Sequence, residues 1–282
     1  MQAIHLAAMD MDGTLLDDRK EVSPATLRAL EGLREKGIPA AFSTGRALSE
    51  VTLYPELTGL IPYAILASGA LVMDLRAGTV IRKDRLPAEI ALKALELACL
   101  EDVVPHLLTV TDSVCLAADI ERMQEHNMGR YAPMFRRICI KPKEMAAYIR
   151  EHPDSLVKVN FYHRDPDARF RTEQRLQALP LQLVHAEYSS LECTVPGVAK
   201  DTGLAALCGA LGTELCHVLA VGDSDNDLPM LKAAGLSVAM GNAPEDIRAA
   251  ADFVTSDNNH DGVAEALKRF LPFMTPPEGT CL

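Results

Sequence analysis

Three short polar stretches hold the side chains of this sequence best suited to chemistry. They are Asp10-Met11-Asp12-Gly13-Thr14, Ser43-Thr44-Gly45-Arg46 and Gly222-Asp223-Ser224-Asp225-Asn226-Asp227. Two of them are dense in carboxylates, which repel one another unless a cation lies between them. The set is all oxygen, with no histidine or cysteine, and such hard ligands suit Mg²⁺ best. Mg²⁺ and an anionic substrate are natural partners in phosphoryl transfer. Asp10 and Asp12 stand two residues apart at the end of an apolar run, so extended backbone points both to one side.

Competing motifs fail on spacing. An EF-hand loop counted from Asp10 puts Leu15 where a glycine is required, and one counted from Asp223 puts Ala234 where the bidentate glutamate is required. Neither G-x-x-x-x-G-K-[ST] nor G-x-G-x-x-G occurs, which removes P-loop and dinucleotide sites. Asn226 follows Ser224 where a nucleophile elbow needs glycine.

The elements around these stretches set their geometry. Ile4–Met9, Ile38–Ser43, Tyr63–Ala67, Cys216–Val221 and Leu236–Met240 are apolar runs that read as buried strands. Between them lie helical patterns such as Pro24–Lys36, with Ser23 as N-cap, and Lys200–Leu211, closed by Gly212. Leu71–Lys83 reads as a hairpin around Ala77-Gly78. Strands alternating with helices predict an α/β fold with a doubly wound parallel sheet. In such sheets ligands bind at the carboxyl ends of the strands, where all three polar stretches fall.

The middle of the chain has another character. Helical patterns at Pro87–Leu100, Asp119–Asn127 and Asp165–Leu179 alternate with β-rich ones at Val103–Ala117, Leu156–Tyr162, Leu181–Glu187 and Leu191–Val195. The expected domains are therefore a core of residues 1–84 and 198–282 with an α+β insert at 85–197. The tail Thr275–Leu282 is expected to be loose.

Composition narrows the class further. A net charge of −11 argues against nucleic acid, whose phosphates demand a basic surface. No apolar run approaches the roughly 18 residues of a membrane span. Seven cysteines without a C-x-x-C pair point to reduced thiols and a cytoplasmic setting.

The ordered set of motifs resembles the haloacid dehalogenase superfamily of phosphatases, and within it the Cof-type members with a type IIB cap. The matches are Asp10–Leu16, Ser43–Arg46, Val198-Ala199-Lys200, Gly222–Asp227, Ala239-Met240-Gly241-Asn242-Ala243 and Asp261-Gly262-Val263-Ala264. One departure is Ser68-Gly69-Ala70, where the family usually has Asn-Gly-Ala.

The resemblance implies a Mg²⁺-dependent phosphatase acting on a small phosphorylated metabolite through an aspartyl-phosphate. It assigns Asp10 as nucleophile and Asp12 as general acid, then base. The metal would be held by the Asp10 carboxylate, the Asp12 main-chain carbonyl and Asp223. Thr44, the Gly45 amide at a helix N-terminus, Lys200 and Asn226 would meet the phosphate. A lysine opening a helix is disfavoured by the macrodipole, so Lys200 there already hints at function. Asn226 alternatively holds Lys200. Asp227 either orients a metal water or caps the following helix, and Arg46 is either helix surface or a rim contact.

Two rival functions share these motifs: a sugar phosphomutase and a non-catalytic phosphate-binding module. The insert would choose the substrate; the sequence leaves open its identity, the breadth of specificity and the oligomeric state. Arg136, Arg137, Lys141 and Lys143 form a basic cluster there, with Pro142 expected to keep it from a regular helix. It reads either as solvated surface or as a lure for a second anionic group on the substrate.

Overall fold

The computed structural model describes residues 3–277, so the end of the expected loose tail, with Cys281, lies outside the described residues. In chain order the strands are β1 (Leu6–Met9), β2 (Ala40–Ser43), β3 (Tyr63–Leu66), β4 (Leu71–Asp74) and β5 (Thr79–Lys83). Then come β6 (Val103–Thr109), β7 (Ser113–Val114), β8 (Leu156–His163), β9 (Gln182–Ala186) and β10 (Ser190–Thr194). The last are β11 (Val218–Gly222), β12 (Leu236–Ala239) and β13 (Phe253–Val254). Among the described residues, no helix is long and apolar enough to cross a membrane.

The described chain divides into two units. One runs up to Gly45, takes in Tyr54–Arg82 and resumes at Ala199; the other is Arg46–Leu53 with Lys83–Val198. The short helix Leu48–Val51 thus goes with the second unit, although a linear boundary at residue 84 leaves it with the core. The reason is local bonding: Ser49 N–H donates to Thr111 O at 3.0 Å and Ser113 Oγ to Glu50 Oε1 at 2.5 Å.

The first unit is built on a sheet of order β13-β12-β11-β1-β2-β3-β4-β5. β1 pairs in parallel with β2 on one side and β11 on the other, so strand order reverses at β1. β1, β2 and β11 are wholly buried runs of small and apolar residues, as strands covered on both faces must be. The hairpin at the far edge begins where β3 turns antiparallel into β4. Helix Pro24–Glu35 starts as its sequence dictates, with Ser23 Oγ accepting from Thr26 N–H at 3.1 Å. The points where the chain leaves and re-enters this unit adjoin, since Arg82 Nη1 donates to Thr202 O at 2.7 Å.

The second unit carries its own sheet, order β7-β6-β8-β10-β9, antiparallel where β6, β8, β10 and β9 pair. Its helices include Ala88–Ala98 and Pro166–Leu176, close to the helical patterns in the sequence. Two more, Ala132–Ile138 and Met145–Glu151, have no counterpart in those patterns. Arg136 and Arg137 are therefore helical, and only Lys141–Lys143 is irregular. All four cations of the cluster are exposed; Arg136 is tied to Glu121 at 2.7 Å and Lys141 Nζ donates to two carbonyls, of Arg136 and Cys139.

Helix Lys200–Leu211 crosses the turn after β3 at close range. A Cβ on Gly203 would fall 2.6 Å from Ile65 Cγ2 and 3.0 Å from Gly69 Cα, whereas one on Gly209 would meet nothing within 4 Å. Gly203→Ala should therefore lower stability in urea by about 1–3 kcal/mol through overpacking. Gly209→Ala, on the same helix, should raise it by about 0.5–1 kcal/mol through helix propensity.

Candidate active site

β1 delivers Asp10 to the reversal point of the sheet. Met9 pairs with Phe42 of β2 and Val221 of β11, so the loops after all three strands leave the same sheet edge. Asp10 N–H still donates to Val221 O at 3.0 Å, which fixes its backbone before the chain turns away. Thr44 is held at the end of β2, its N–H on Ile65 O at 2.8 Å and its carbonyl accepting from Ser68 N–H at 3.0 Å. Helix Leu48–Val51 begins beyond Gly45 and has a single turn, so Gly45 is not at a helix N-terminus and gains little macrodipole.

Lys200 is the centre of the charge arrangement. Its Nζ lies 2.7 Å from Asp10 Oδ1 and 2.6 Å from Asp227 Oδ1, with all three side chains buried. Burial opposes the ammonium charge, but Asp10 and Asp227 outweigh it and raise Lys200 above its ordinary value. The two carboxylates also answer the macrodipole misfit of a lysine opening a helix. Asp227, not Asn226, is the residue that holds Lys200; Asn226 Oδ1 instead accepts from Ser224 Oγ at 3.0 Å. Asp227 Oδ2 accepts from the N–H groups of Asp223 and Ser224 at 3.0 and 3.1 Å. One side chain thus fixes both the loop and the lysine.

Asp223 approaches from the other side. Carboxylate oxygens of Asp10, Asp223 and Asp227 lie within 4.8 Å of one another. Thr14 Oγ1 donates to Asp223 Oδ1 at 2.7 Å, and Asn242 Nδ2 donates to Gly13 O at 2.9 Å and lies 3.4 Å from Asp223 Oδ2. Gly13 is required twice over: its φ is +85°, and a Cβ there would sit 2.5 Å from Asp223 Oδ2.

Three carboxylates around one ammonium leave a local charge of about −2, which is the deficit a divalent cation offsets. Burial, with repulsion from Asp227, Asp223 and Asp12, holds Asp10 well above the usual carboxylate range despite Lys200. Burial and then Asp227 push Asp223 up to about 7. Both shifts show that these groups resist ionising together without added positive charge, so the donor set fits a hard dication. The Asp12 carboxylate stays outside this cluster, paired with Lys20 Nζ at 2.7 Å.

Sequence reasoning missed Thr14, Lys20 and Asn242 as supports, and the Asp227–Lys200 pair. Thr14 and Asn242 lie inside motifs and could have been flagged as polar neighbours; nothing in the pattern points to Lys20. Arg46 is buried in the second unit, with Nη1 3.9 Å from Met134 Sδ, so it is not a helix-surface residue. Ser68 takes φ 60° and ψ 28°, a left-handed geometry that asparagine tolerates better than serine, which gives a backbone reason for the family's asparagine.

A model of the haloacid dehalogenase-like hydrolase family matches residues 7–267. The chain belongs to the haloacid dehalogenase-like hydrolases. It is 30% identical over 269 residues to a 5-amino-6-(5-phospho-D-ribitylamino)uracil phosphatase of Bacillus subtilis, covering 95% of this chain and 96% of that one. It is 28% identical to the pyridoxal phosphate phosphatase of Escherichia coli, over 92% of this chain and 95% of the other. The structure of a haloacid dehalogenase-like hydrolase from B. subtilis superposes with a TM-score of 0.83 at 26% identity, covering 94% of this chain and 99% of that one. This haloacid dehalogenase-like hydrolase is thus an enzyme acting on phosphomonoesters.

The charge deficit has a thermodynamic signature. Titrated with a divalent cation to 100 times its Kd, the protein should gain about 2–3 kcal/mol of unfolding free energy. Asp223→Asn should lose most of that gain while matching or exceeding the native protein's stability in EDTA, because it relieves repulsion. Unfolding curves with and without chelator measure both.

Proposed function

We propose that this hydrolase removes phosphate from a small phosphorylated metabolite in two displacements, with Asp10 as nucleophile and Mg²⁺ as cofactor. The observation that carries the reading is the buried Lys200 Nζ bridging Asp10 and Asp227, with the Asp223 carboxylate in the same cluster. That bridge engages Asp10 Oδ1. Asp10 Oδ2 is then the oxygen that bonds to phosphorus, while the ester oxygen departs with a proton from Asp12. Water next attacks the phosphoaspartate, giving its proton to Asp12 and releasing Asp10. Splitting a very slow hydrolysis this way makes each step tractable.

Lys200, the Thr44 hydroxyl and the Gly45 amide are assigned to the phosphoryl oxygens, where fixed positive charge and donors favour the transition state. Asn226, half-buried and next to Asp227 in sequence, is assigned to the same oxygens. The Asp10 carboxylate, the Asp12 main-chain carbonyl and Asp223 would hold Mg²⁺. When bound, the ion reduces repulsion between Asp10 and the incoming anion. Asp227 positions Lys200 rather than touching substrate.

We assign residues 85–197 to substrate choice. Relatives that match 95% and 92% of the chain are named for such unlike esters as a ribitylaminouracil phosphate and pyridoxal phosphate, which supports separating selection from chemistry. Free thiols at the six described cysteines support a reducing, cytoplasmic setting.

Asp10→Asn should fold normally and lose at least about 10³-fold in kcat, about 4 kcal/mol of barrier, on any phosphomonoester. Turnover near the native rate would reject the covalent route. Asp12→Asn should depend on the leaving group, costing alkyl phosphates more than aryl phosphates, whose oxygen needs less protonation. Equal losses in a rate-limiting first step would remove Asp12 as the acid.

A further inference from the structure

The sheet of the second unit has two unlike faces. Pairing sets His106, Asn160 and Glu192 opposite one another on β6, β8 and β10, and residues in such a row share a face. Tyr162 lies one row away on that face and Lys158 one row the other way. The alternating positions, Leu107, Val159, Phe161, Leu191 and Cys193, belong to an apolar core. The polar face is nevertheless buried: His106 is 2% exposed, Asn160 7%, Lys158 0% and Glu192 8%.

Most groups on this face satisfy one another. Lys158 Nζ lies 2.6 Å from Glu192 Oε1, and Ser113 Oγ donates to Glu50 Oε1 at 2.5 Å. The Tyr162 hydroxyl accepts from Asn160 Nδ2 at 3.3 Å and lies 2.8 Å from His106 Nδ1. Two buried atoms are left without a partner, His106 Nε2 and Asn160 Oδ1. Glu50 Oε1 is 3.7 Å from Nε2, beyond hydrogen-bond reach.

Asn160 Oδ1 can only accept, whereas the role of His106 Nε2 depends on Nδ1. Where the Tyr162 hydroxyl gives its proton to Nδ1, the imidazole proton lies on Nε2; where Nδ1 donates to the hydroxyl, Nε2 accepts. Burial and then Lys158 push His106 down to about 3, so the ring is neutral. Two unmet polar atoms therefore stand on paired residues of adjacent strands, an arrangement that is costly unless something fills it. A hydroxyl can accept from Nε2 and donate to Oδ1. Glu50 and Glu192 against Lys158 make the surroundings unfavourable for an anion.

We propose that this face of the second unit is a binding site for an uncharged, hydroxyl-bearing organic group, with His106 and Asn160 as its recognition pair. The site is read from the second unit alone; that its occupant is the organic part of the substrate rests on the phosphatase reading above.

The test uses the full chain with Asn160→Leu and His106→Phe, each checked for a cooperative thermal transition. Saturation-transfer NMR with neutral polyols of four to six carbons should show binding to the native protein and loss of most of that signal in either variant. With Mg²⁺ present, kcat/KM for a polyol monophosphate should fall at least about tenfold in Asn160→Leu, while phenyl phosphate stays within about twofold. Should His106→Phe fail to fold, Asn160→Leu alone decides. No polyol signal in the native protein, an unchanged signal in a folded variant, or equal losses on the two esters overturns the proposal and leaves ordered water as the occupant. A native protein inactive on every phosphomonoester would remove the phosphatase reading instead, and the polyol signal would then decide the site by itself.

Discussion

An ammonium group sealed from water must find carboxylates, and in this chain Lys200 finds two, from segments far apart in sequence. Asp10 comes from the end of β1 and Asp227 from the loop after β11, while Lys200 opens a helix that begins only after the inserted segment has ended. Leaving such a buried charge with no carboxylate at all commonly costs about 3–5 kcal/mol, and here a second partner remains if one is lost. The pairing therefore fixes three backbones at once. It also leaves the cluster short of positive charge, so the same interaction that orders the loops creates the demand for a cation.

Much of this architecture could be read from the sequence, because its strands are short apolar runs that end in chemistry. Asp10, Thr44 and Asp223 stand directly beyond β1, β2 and β11, and the helix from Lys200 to Leu211 matches its pattern to the residue. Legibility fails where the deciding contact is between side chains distant in sequence. Asp227 and Asn226 are adjacent and both polar, and only the folded loop shows that the aspartate reaches Lys200. Lys20 looks like any solvated lysine until it meets Asp12. The helices Ala132–Ile138 and Met145–Glu151 are two turns each, too short for an apolar period to rise above the surrounding charges.

The two sheets place their polar groups differently. In the first, β1, β2 and β11 are dry on both faces, and polar groups gather only where those strands stop. In the second, polar side chains lie along β6, β8 and β10 themselves, on one face, opposite an apolar one. A strand end gives a few backbone-fixed groups, well suited to a reaction whose geometry cannot vary. A strand face gives a grid of positions that can be changed one at a time without disturbing the ladder, well suited to recognition.

The hydrogen bond from Arg82 to Thr202 has a consequence for how such a chain can diversify. It joins the points where the polypeptide departs from the first unit and comes back, so a guest of any length can be spliced in without stretching the host. Loop-closure entropy rises only with the logarithm of length, and here the ends are already pinned. The guest can be lengthened, shortened or exchanged while Asp10, Asp223, Asp227 and Lys200 keep their mutual positions. With substrate choice assigned to the guest, as proposed above, the reaction and the substrate can follow separate evolutionary clocks within one gene.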